Sequence, residues 1–532
     1  MKLDRGSRRY LGVGVGKKEN EVRMTWTTLI CLVATALLTP APPSRADPPP
    51  EGKPPQLKTK RGWGTPLPRA CMSSPRVSDV NGDQVKDVLI GAGFFEERQD
   101  ASVAALDGKT GAILWKFDCP ADVFVTPELV DINGDGVVDL LVGGRFNDLL
   151  ALNGKNGELL WILSLQNPGV SLPPANFNSP VLVPDLDQDS FPEILVATGG
   201  LTSYRVGVTE APEASESSET APPQPPDKTE PKPAQEGPPG LIFQVSSRTG
   251  KILKTIEAPD QREIYSMPAV FHNPKSQRHE VVYGTGGERI NGHVIKLDLR
   301  SLKEIWRFPS LQKGFMASPI ACDFSGEGVL DVVAASFEGD LYRLNGETGQ
   351  PIWRATLGGG FETYSSPAIG RFNDDDHLDV VAVFGKGVWP DYDWAHIVWV
   401  DGRSGRVIAQ EPLGRTPYSS PLVLNIDGDS YDETLAAGFV GRYTEAAEVA
   451  GSQGRLVLFD GRSKKSVYSI GFEGLVAGTP HVSDIDGDGH LDIVWPHFGN
   501  VTRLTLITPG PRPQLWWNQF HGPRFDGVYR RN

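Results

Sequence analysis

Amphipathic helices are missing from this sequence: no long segment repeats its apolar residues at 3.6-residue spacing, and apolar stretches are short and rich in Val, Ile and Leu. With 59 Gly and 45 Pro breaking the chain into short pieces, the pattern predicts an all-β protein. Cysteine is also scarce. Of four, Cys31 lies near the N-terminus, and Cys71, Cys119 and Cys322 are neither adjacent nor at metal-ligand spacing. That excludes a disulfide scaffold, though a Cys71 to Cys119 bridge would suit an oxidising compartment. The nine histidines form no HxH or HExxH arrangement, so the zinc-hydrolase signatures are absent.

Long hydrophobic runs are lacking except at Thr25 to Leu38, "TWTTLICLVATALL", which follows a basic stretch and precedes the small-x-Ala pattern Ser44 to Ala46. Residues 1–46 read as an export signal, with Met24 a candidate start. An uncleaved anchor is the alternative, but the run is shorter than the ~20 residues a spanning helix needs. Residues 1–46 hold eight Lys or Arg and three Asp or Glu, so their removal takes the formal charge from -14 to -14 - 5 = -19. So acidic a chain is a poor partner for nucleic acid or an anionic membrane surface. A membrane role is expected only if the N-terminal segment stays as an anchor. Residues 47–62 read as a Pro-rich linker.

The chain is internally repetitive. A proline preceded by a small residue, and usually followed four residues later by an acidic loop, recurs at Pro75, Pro127, Pro180, Pro268, Pro319, Pro367, Pro421 and Pro480. The intervals are 52, 53, 88, 51, 48, 54 and 59 residues. The long one contains residues 210–239, rich in Pro, Glu and Ser, with seven acids, two bases and no aromatic side chain. Such a segment cannot bury enough apolar surface to fold and is expected to be a disordered insertion. Each unit also ends in a turn and a tryptophan, as in "LDGKTGAILW", "LNGKNGELLW" and "LNGETGQPIW", with weaker copies such as "VDGRSGRVIA" and "FDGRSKKSVY". Eight units of four short strands predict one β-propeller of eight four-stranded blades over residues 63–532, with residues 210–239 inserted in the third. The tryptophan is expected to pack between blades.

The acidic loop followed by a "DVLIG"-like strand resembles FG-GAP (integrin α type) and VCBS repeats. "DGKTGAILW" resembles the repeat of PQQ-like propellers, and the ending "WWNQFHGPRFDGVY" resembles that of secreted bacterial propellers of this group. The resemblance runs from Ser73 to about Tyr529. It implies a secreted propeller.

In "DINGDGVVD", Asp131, Asn133 and Asp135 occupy positions 1, 3 and 5 as in an EF-hand, but position 12 is Val142. The carboxylate at position 9, Asp139, takes that role, so a strand can begin at once. The spacing recurs as Asp79, Asn81, Asp83, Asp87; as Asp185, Asp187, Asp189, Glu193; as Asn425, Asp427, Asp429, Glu433; and as Asp484, Asp486, Asp488, Asp492. Asp323, Ser325, Glu327 and Asp331 form a poorer sixth set. Unit six carries Arg371 at position 1, and unit four has lost the acids. Asp, Asn and Gly also favour turns, but in-phase oxygen ligands at alternate positions point to about five or six Ca²⁺. No organic cofactor is expected.

Strand alternation puts these loops on one face of the propeller and the irregular connections on the other. Trp389, Tyr392 and Trp394 are the candidate contact patch there, suited to a glycan or a protein, with covering the blade edge as the bland alternative. Phe124, Phe177, Tyr265, Tyr364 and Tyr418, each three residues before an anchor proline, are expected to line the channel mouth. The functional expectation is a secreted, non-catalytic binding or adhesion module. A calcium-dependent polysaccharide lyase and a PQQ-like quinoprotein are the enzymatic alternatives.

Overall fold

The computed structural model describes residues 57–67, 72–93, 102–165, 175–200 and 238–507 apart from 325, 327, 390, 416, 441–452 and 498, together with short strands at 514–515 and 528–529. The export segment, Cys71, Ser325, Glu327 and nearly all of the insertion lie outside the described residues.

Eight antiparallel sheets form the ring of an eight-bladed propeller. Blade one consists of Arg76–Ser78, Asp87–Gly91, Val103–Leu106 and Ile113–Phe117. The innermost strands of the next seven are Glu128–Val130, Val181–Val183, Ala269–Asn273, Ile320–Cys322, Ala368–Gly370, Leu422–Asn425 and His481–Ser483. Second strands such as Asp87–Gly91 and Asp331–Ala335 are buried throughout, because a neighbouring blade covers each face. This is why they read as unbroken apolar runs rather than alternating ones. Outer strands face solvent along one side: in Ile113–Phe117 only Trp115 is fully buried.

The apolar cores lie between blades. Eight clusters of buried side chains each join two neighbours, for example Leu89 and Trp115 of blade one with Leu140 and Phe146 of blade two. The eighth joins Ile485 and Val494 of blade eight to Val88 and Ile90 of blade one, with Trp63 between them. Trp63 belongs to the strand Lys58–Pro66, which pairs antiparallel with Asn500–Ile507 and supplies the outer strand of blade eight. Residues 58–62, counted with the linker on sequence, are thus part of the propeller. The repeat anchor marks only inner strands, so it gave no sign of an outer strand borrowed from the other end of the chain.

The recurrent tryptophan does more than fill space. Its indole N–H donates to a carbonyl in the turn of the next blade: Trp115 to Gly154 at 2.7 Å, Trp161 to Ser247 at 2.9 Å, Trp306 to Gly346 at 3.0 Å and Trp353 to Gly402 at 2.8 Å. Trp63 makes the same bond to Gly108 at 2.8 Å, which closes the ring. The glycine three residues on is required for this contact. At Gly157 φ is +73°, and a Cβ there would lie 2.5 Å from the Trp115 ring. Between blades six and seven both partners change together. Ala409 stands in the tryptophan position and Lys464 in the glycine position, and the Lys464 ammonium donates to the Gly461 carbonyl from within its own turn. Burial lowers Lys464 to about 8.

A second belt surrounds the channel. The residue before each anchor proline uses its backbone N–H to reach the hydroxyl of its counterpart in the next blade: Thr126 to Ser179 at 3.0 Å, Met267 to Ser318 at 2.8 Å, Ser318 to Ser366 at 3.1 Å, Ser366 to Ser420 at 3.0 Å, Ser420 to Thr479 at 3.1 Å and Thr479 to Ser74 at 3.0 Å. The last bond again joins blade eight to blade one. Near the acid-loop end of the channel, Gln514–Leu515 pairs with the inner strand of blade seven and Val528–Tyr529 with that of blade five.

Replacing Trp63 by Ala empties a closing core and removes its hydrogen bond. W63A is expected to lower unfolding stability by about 3–5 kcal/mol, read from the denaturant midpoint. An unchanged midpoint would contradict closure by this strand.

Candidate functional site

The acid loops and the channel mouth lie at opposite ends of the inner strands. In the loops, the first acid caps its own turn. Asp131 accepts backbone N–H bonds from Gly134 at 2.7 Å, Asp135 at 3.2 Å and Gly136 at 2.9 Å. Asp79 is engaged in the same way by Gly82 at 2.7 Å and Gln84 at 2.9 Å. The ninth-position acid has a different task. Asp139 accepts from the Ile132 N–H at 2.9 Å and, across the blade, from the Gly154 N–H at 3.0 Å. Asp87 does so from Val80 at 2.9 Å and Gly108 at 3.0 Å, and Asp379 from Phe372 at 2.9 Å and Gly402 at 3.0 Å. Each therefore clamps the loop to the turn that receives the neighbouring blade's tryptophan. Blade six keeps this clamp although Arg371 occupies its first position, so the clamp does not depend on a full ligand set.

The predicted ligand sets separate on what surrounds them. Asp185, Asp187, Asp189 and Glu193 of blade three bring carboxylate oxygens within 4.8 Å of one another, as do Asp427, Asp429 and Glu433 of blade seven. Burial raises Glu193 to about 7 and Glu433 to about 8, and the neighbouring aspartates push in the same direction. No salt bridge reaches these two clusters among the described residues. Asn425 instead donates its amide to the Asp429 carbonyl at 2.9 Å. In blade eight, Asp484, Asp486 and Asp492 also converge, but the Arg503 guanidinium sits on Asp486 and, at 3.0 Å, on Asp492, while Asp488 is outside the group. In blade five Arg343 pairs with Asp331 at 2.6 Å, and Asp323 caps Gly326 at 2.7 Å. In blades one and two the amides of Asn81 and Asn133 turn toward Asp87 at 3.2 Å and Asp139 at 3.5 Å, and Lys155 pairs with Asp135 at 3.0 Å. Asp83 accepts from Val85 at 2.9 Å.

At the other end all eight blades contribute to one funnel of about 640 Å³. Phe124, Tyr265, Tyr364 and Tyr418 line it as expected. Phe177 does not: it is fully buried in the core between blades two and three, where Gly143 admits it. The predicted aromatic patch also divides. Trp389 turns into the funnel and donates its indole N–H to the Tyr418 hydroxyl at 2.9 Å. Tyr392 is buried beneath, bonded to Glu362 at 3.0 Å. Trp394 remains exposed, packed edge-on to Phe361 at 5.4 Å between centroids.

The funnel's charged groups were not singled out from sequence. Glu263 accepts from the Tyr265 phenol at 2.6 Å, and Glu288 accepts from Tyr364. Burial, reinforced by these carboxylates, pushes both phenols above their ordinary range. On the opposite wall Arg145 pairs with Asp122 at 3.1 Å and lies over the Phe124 ring at 4.9 Å. The only sequence signal for Glu288 was its place in the irregular stretch "GTGGERINGH".

A family model described as outer membrane protein assembly factor BamB matches residues 99–204. Human Protein FAM234B is 30% identical over 138 residues, 24% of this chain and 22% of that protein. The chain thus spans about a fifth of that curated relative's length. Quinohemoprotein alcohol dehydrogenase ADHIIG from Pseudomonas putida HK5 superposes with TM-score 0.54 at 11% identity, covering 86% of this chain and 78% of that one. A europium-containing methanol dehydrogenase gives TM-score 0.52 at 11% identity, covering 84% and 93%. The fold is that of a PQQ-like β-propeller. At these identities the structural likeness concerns the fold alone.

The clamp can be separated from metal binding. Asp139→Asn places an amide where two backbone N–H groups need acceptors, and is expected to cost about 1–3 kcal/mol in EDTA as well as in calcium. Equal midpoints for variant and parent in EDTA would leave Asp139 with no role besides a metal's.

Proposed function

We propose that this protein is an exported, non-catalytic binding propeller whose funnel face takes a protein or glycan partner, with calcium stabilising loops on the opposite face. One observation carries the reading: side chains from all eight blades converge on a single funnel, whose half-buried aromatic and polar lining suits recognition. Export rests on the N-terminal apolar run, with the BamB-type match over residues 99–204 consistent with an envelope or extracellular setting. The FG-GAP and VCBS resemblance belongs to this proposal too, because it rests on the acid loops.

For calcium, the clusters of blades three and seven are the strongest candidates. Their crowded, buried carboxylates lack an ion pair among the described residues, and a divalent cation would relieve their repulsion. Arg503 and Arg343 already supply positive charge in blades eight and five, which weakens those loops as sites.

The quinoprotein alternative fits the funnel poorly. A planar quinone bearing several carboxylates calls for free cations, whereas Glu263 and Glu288 face the cavity and Arg145 is held by Asp122. No step is derived through such a cofactor. The lyase alternative is tested directly: incubation with acidic polysaccharides is expected to give no unsaturated product, and double-bond formation would overturn the non-catalytic reading. A glycan and surface-protein binding screen run beside it is expected to yield a partner lost in Trp389→Ala.

Calcium at millimolar concentration is expected to raise the melting temperature, by about 1–3 kcal/mol of linkage per filled site for affinities of about 10⁻⁴ to 10⁻³ M. Metal analysis should find at least two Ca²⁺ per chain. An unchanged melting curve in EDTA, with less than one ion bound, would refute the calcium assignment.

A further inference from the structure

The funnel is rich in acceptors and poor in donors. Glu263 and Glu288 line it, each receiving a neutral phenol, and among the described residues neither has a cationic partner. A neutral donor stabilises a carboxylate without cancelling its charge. Asn178 adds a second, independent sign. It is 3% exposed and lines the same cavity, and its amide nitrogen donates to the Ile264 carbonyl at 2.7 Å. That bond fixes the amide orientation, because a carbonyl can only accept. The Asn178 Oδ1 is then left without a hydrogen-bond partner, as is Oδ1 of the neighbouring lining residue Asn176. Buried acceptors without donors are uncommon in proteins.

The aromatic groups point the same way. Tyr364 and Tyr418 lie 5.1 Å apart between centroids at the wall formed by blades six and seven, and Trp389 joins them there. Their π-faces are electron-rich and attract cations. The positive groups are displaced or occupied. Arg145 is held by Asp122 and stacked on Phe124, and Arg289 is exposed to solvent.

We infer that the funnel receives the guanidinium of an arginine side chain presented by a partner protein. This rests on the funnel being the binding face and names what it binds. Guanidinium carries five N–H donors in a plane, stacks on aromatic rings and stays charged at any physiological pH. It therefore answers the unpaired amide oxygens, the two carboxylates and the aromatic wall together. The acidic chain, -14 in formal charge, favours the encounter with a basic segment over long range.

The test titrates the full chain with acetyl-Gly-Gly-Arg-Gly-Gly-amide and with the same peptide carrying citrulline, which keeps the shape and removes the charge. Binding is read calorimetrically, with neutral maltohexaose as a third probe. The arginine peptide is expected to bind at least tenfold more tightly than the citrulline one. Glu288→Gln, which preserves the acceptor to Tyr364, should weaken arginine binding about tenfold at an unchanged melting temperature, and Glu263→Gln should act likewise. Equal affinity for the two peptides, or no effect of either variant, overturns the proposal. Should maltohexaose bind and depend on Trp389 while arginine does not, the cation assignment falls and the funnel reading survives. If no probe binds and the partner screen also finds nothing that depends on Trp389, both fall.

Discussion

The contact on which the structure depends is the one between blades, where an indole N–H from one outer strand meets a turn carbonyl of the next. No blade can bury both faces alone, so stability is assigned pairwise around the ring. Every interface has a core of its own, and the glycine that admits the indole belongs to the receiving blade. The pairing is specific enough that where the tryptophan is lost the glycine is lost with it: Ala409 and Lys464 replace them together, and the lysine restores a donor to the same carbonyl. A similar exchange occurs between blades three and four. Lys254 stands in the tryptophan position and donates to Ser301 at 2.6 Å, and Leu302 occupies the glycine position.

Closure makes a funnel possible. An open array would leave one blade face exposed, whereas the strand Lys58–Pro66 brings Trp63 to the remaining interface and the Thr479 to Ser74 bond completes the inner belt there. With the scaffold fixed by these contacts, the two ends of the inner strands differ in kind. The loop end is regular, each ninth-position acid tying its loop to the tryptophan-receiving turn. The other end varies from blade to blade, and a rigid scaffold bearing variable connections is where recognition is usually found.

Much of this was legible in the sequence because the repeat is physical. The anchor proline follows a Ser or Thr in seven blades because the hydroxyl accepts a bond from the previous blade; Met267 is the exception. The outer strand of blade eight was not legible, because it lacks the anchor and lies at the other end of the chain. The ninth-position acids were recognised by their spacing, yet spacing does not reveal that Gly108 or Gly154 donates to them. Phe177 shares its position in the repeat with Tyr265 and Tyr364 but is apolar throughout, so it sinks into a core while the tyrosines keep their hydroxyls in the funnel. The acceptor-rich character of the funnel arises from Asn178, Glu263 and Glu288, which come from three different connections and have no common sequence signature.

The most direct measurement of the account is amide hydrogen exchange on the intact chain. If the ring is closed as described, the amides of residues 58–66 that pair with 500–507 exchange as slowly as their partners and are released with them in one cooperative opening. Free exchange of residues 58–66, with blade eight otherwise protected, would mean that the ring is held by some other contact and that the funnel must be redrawn.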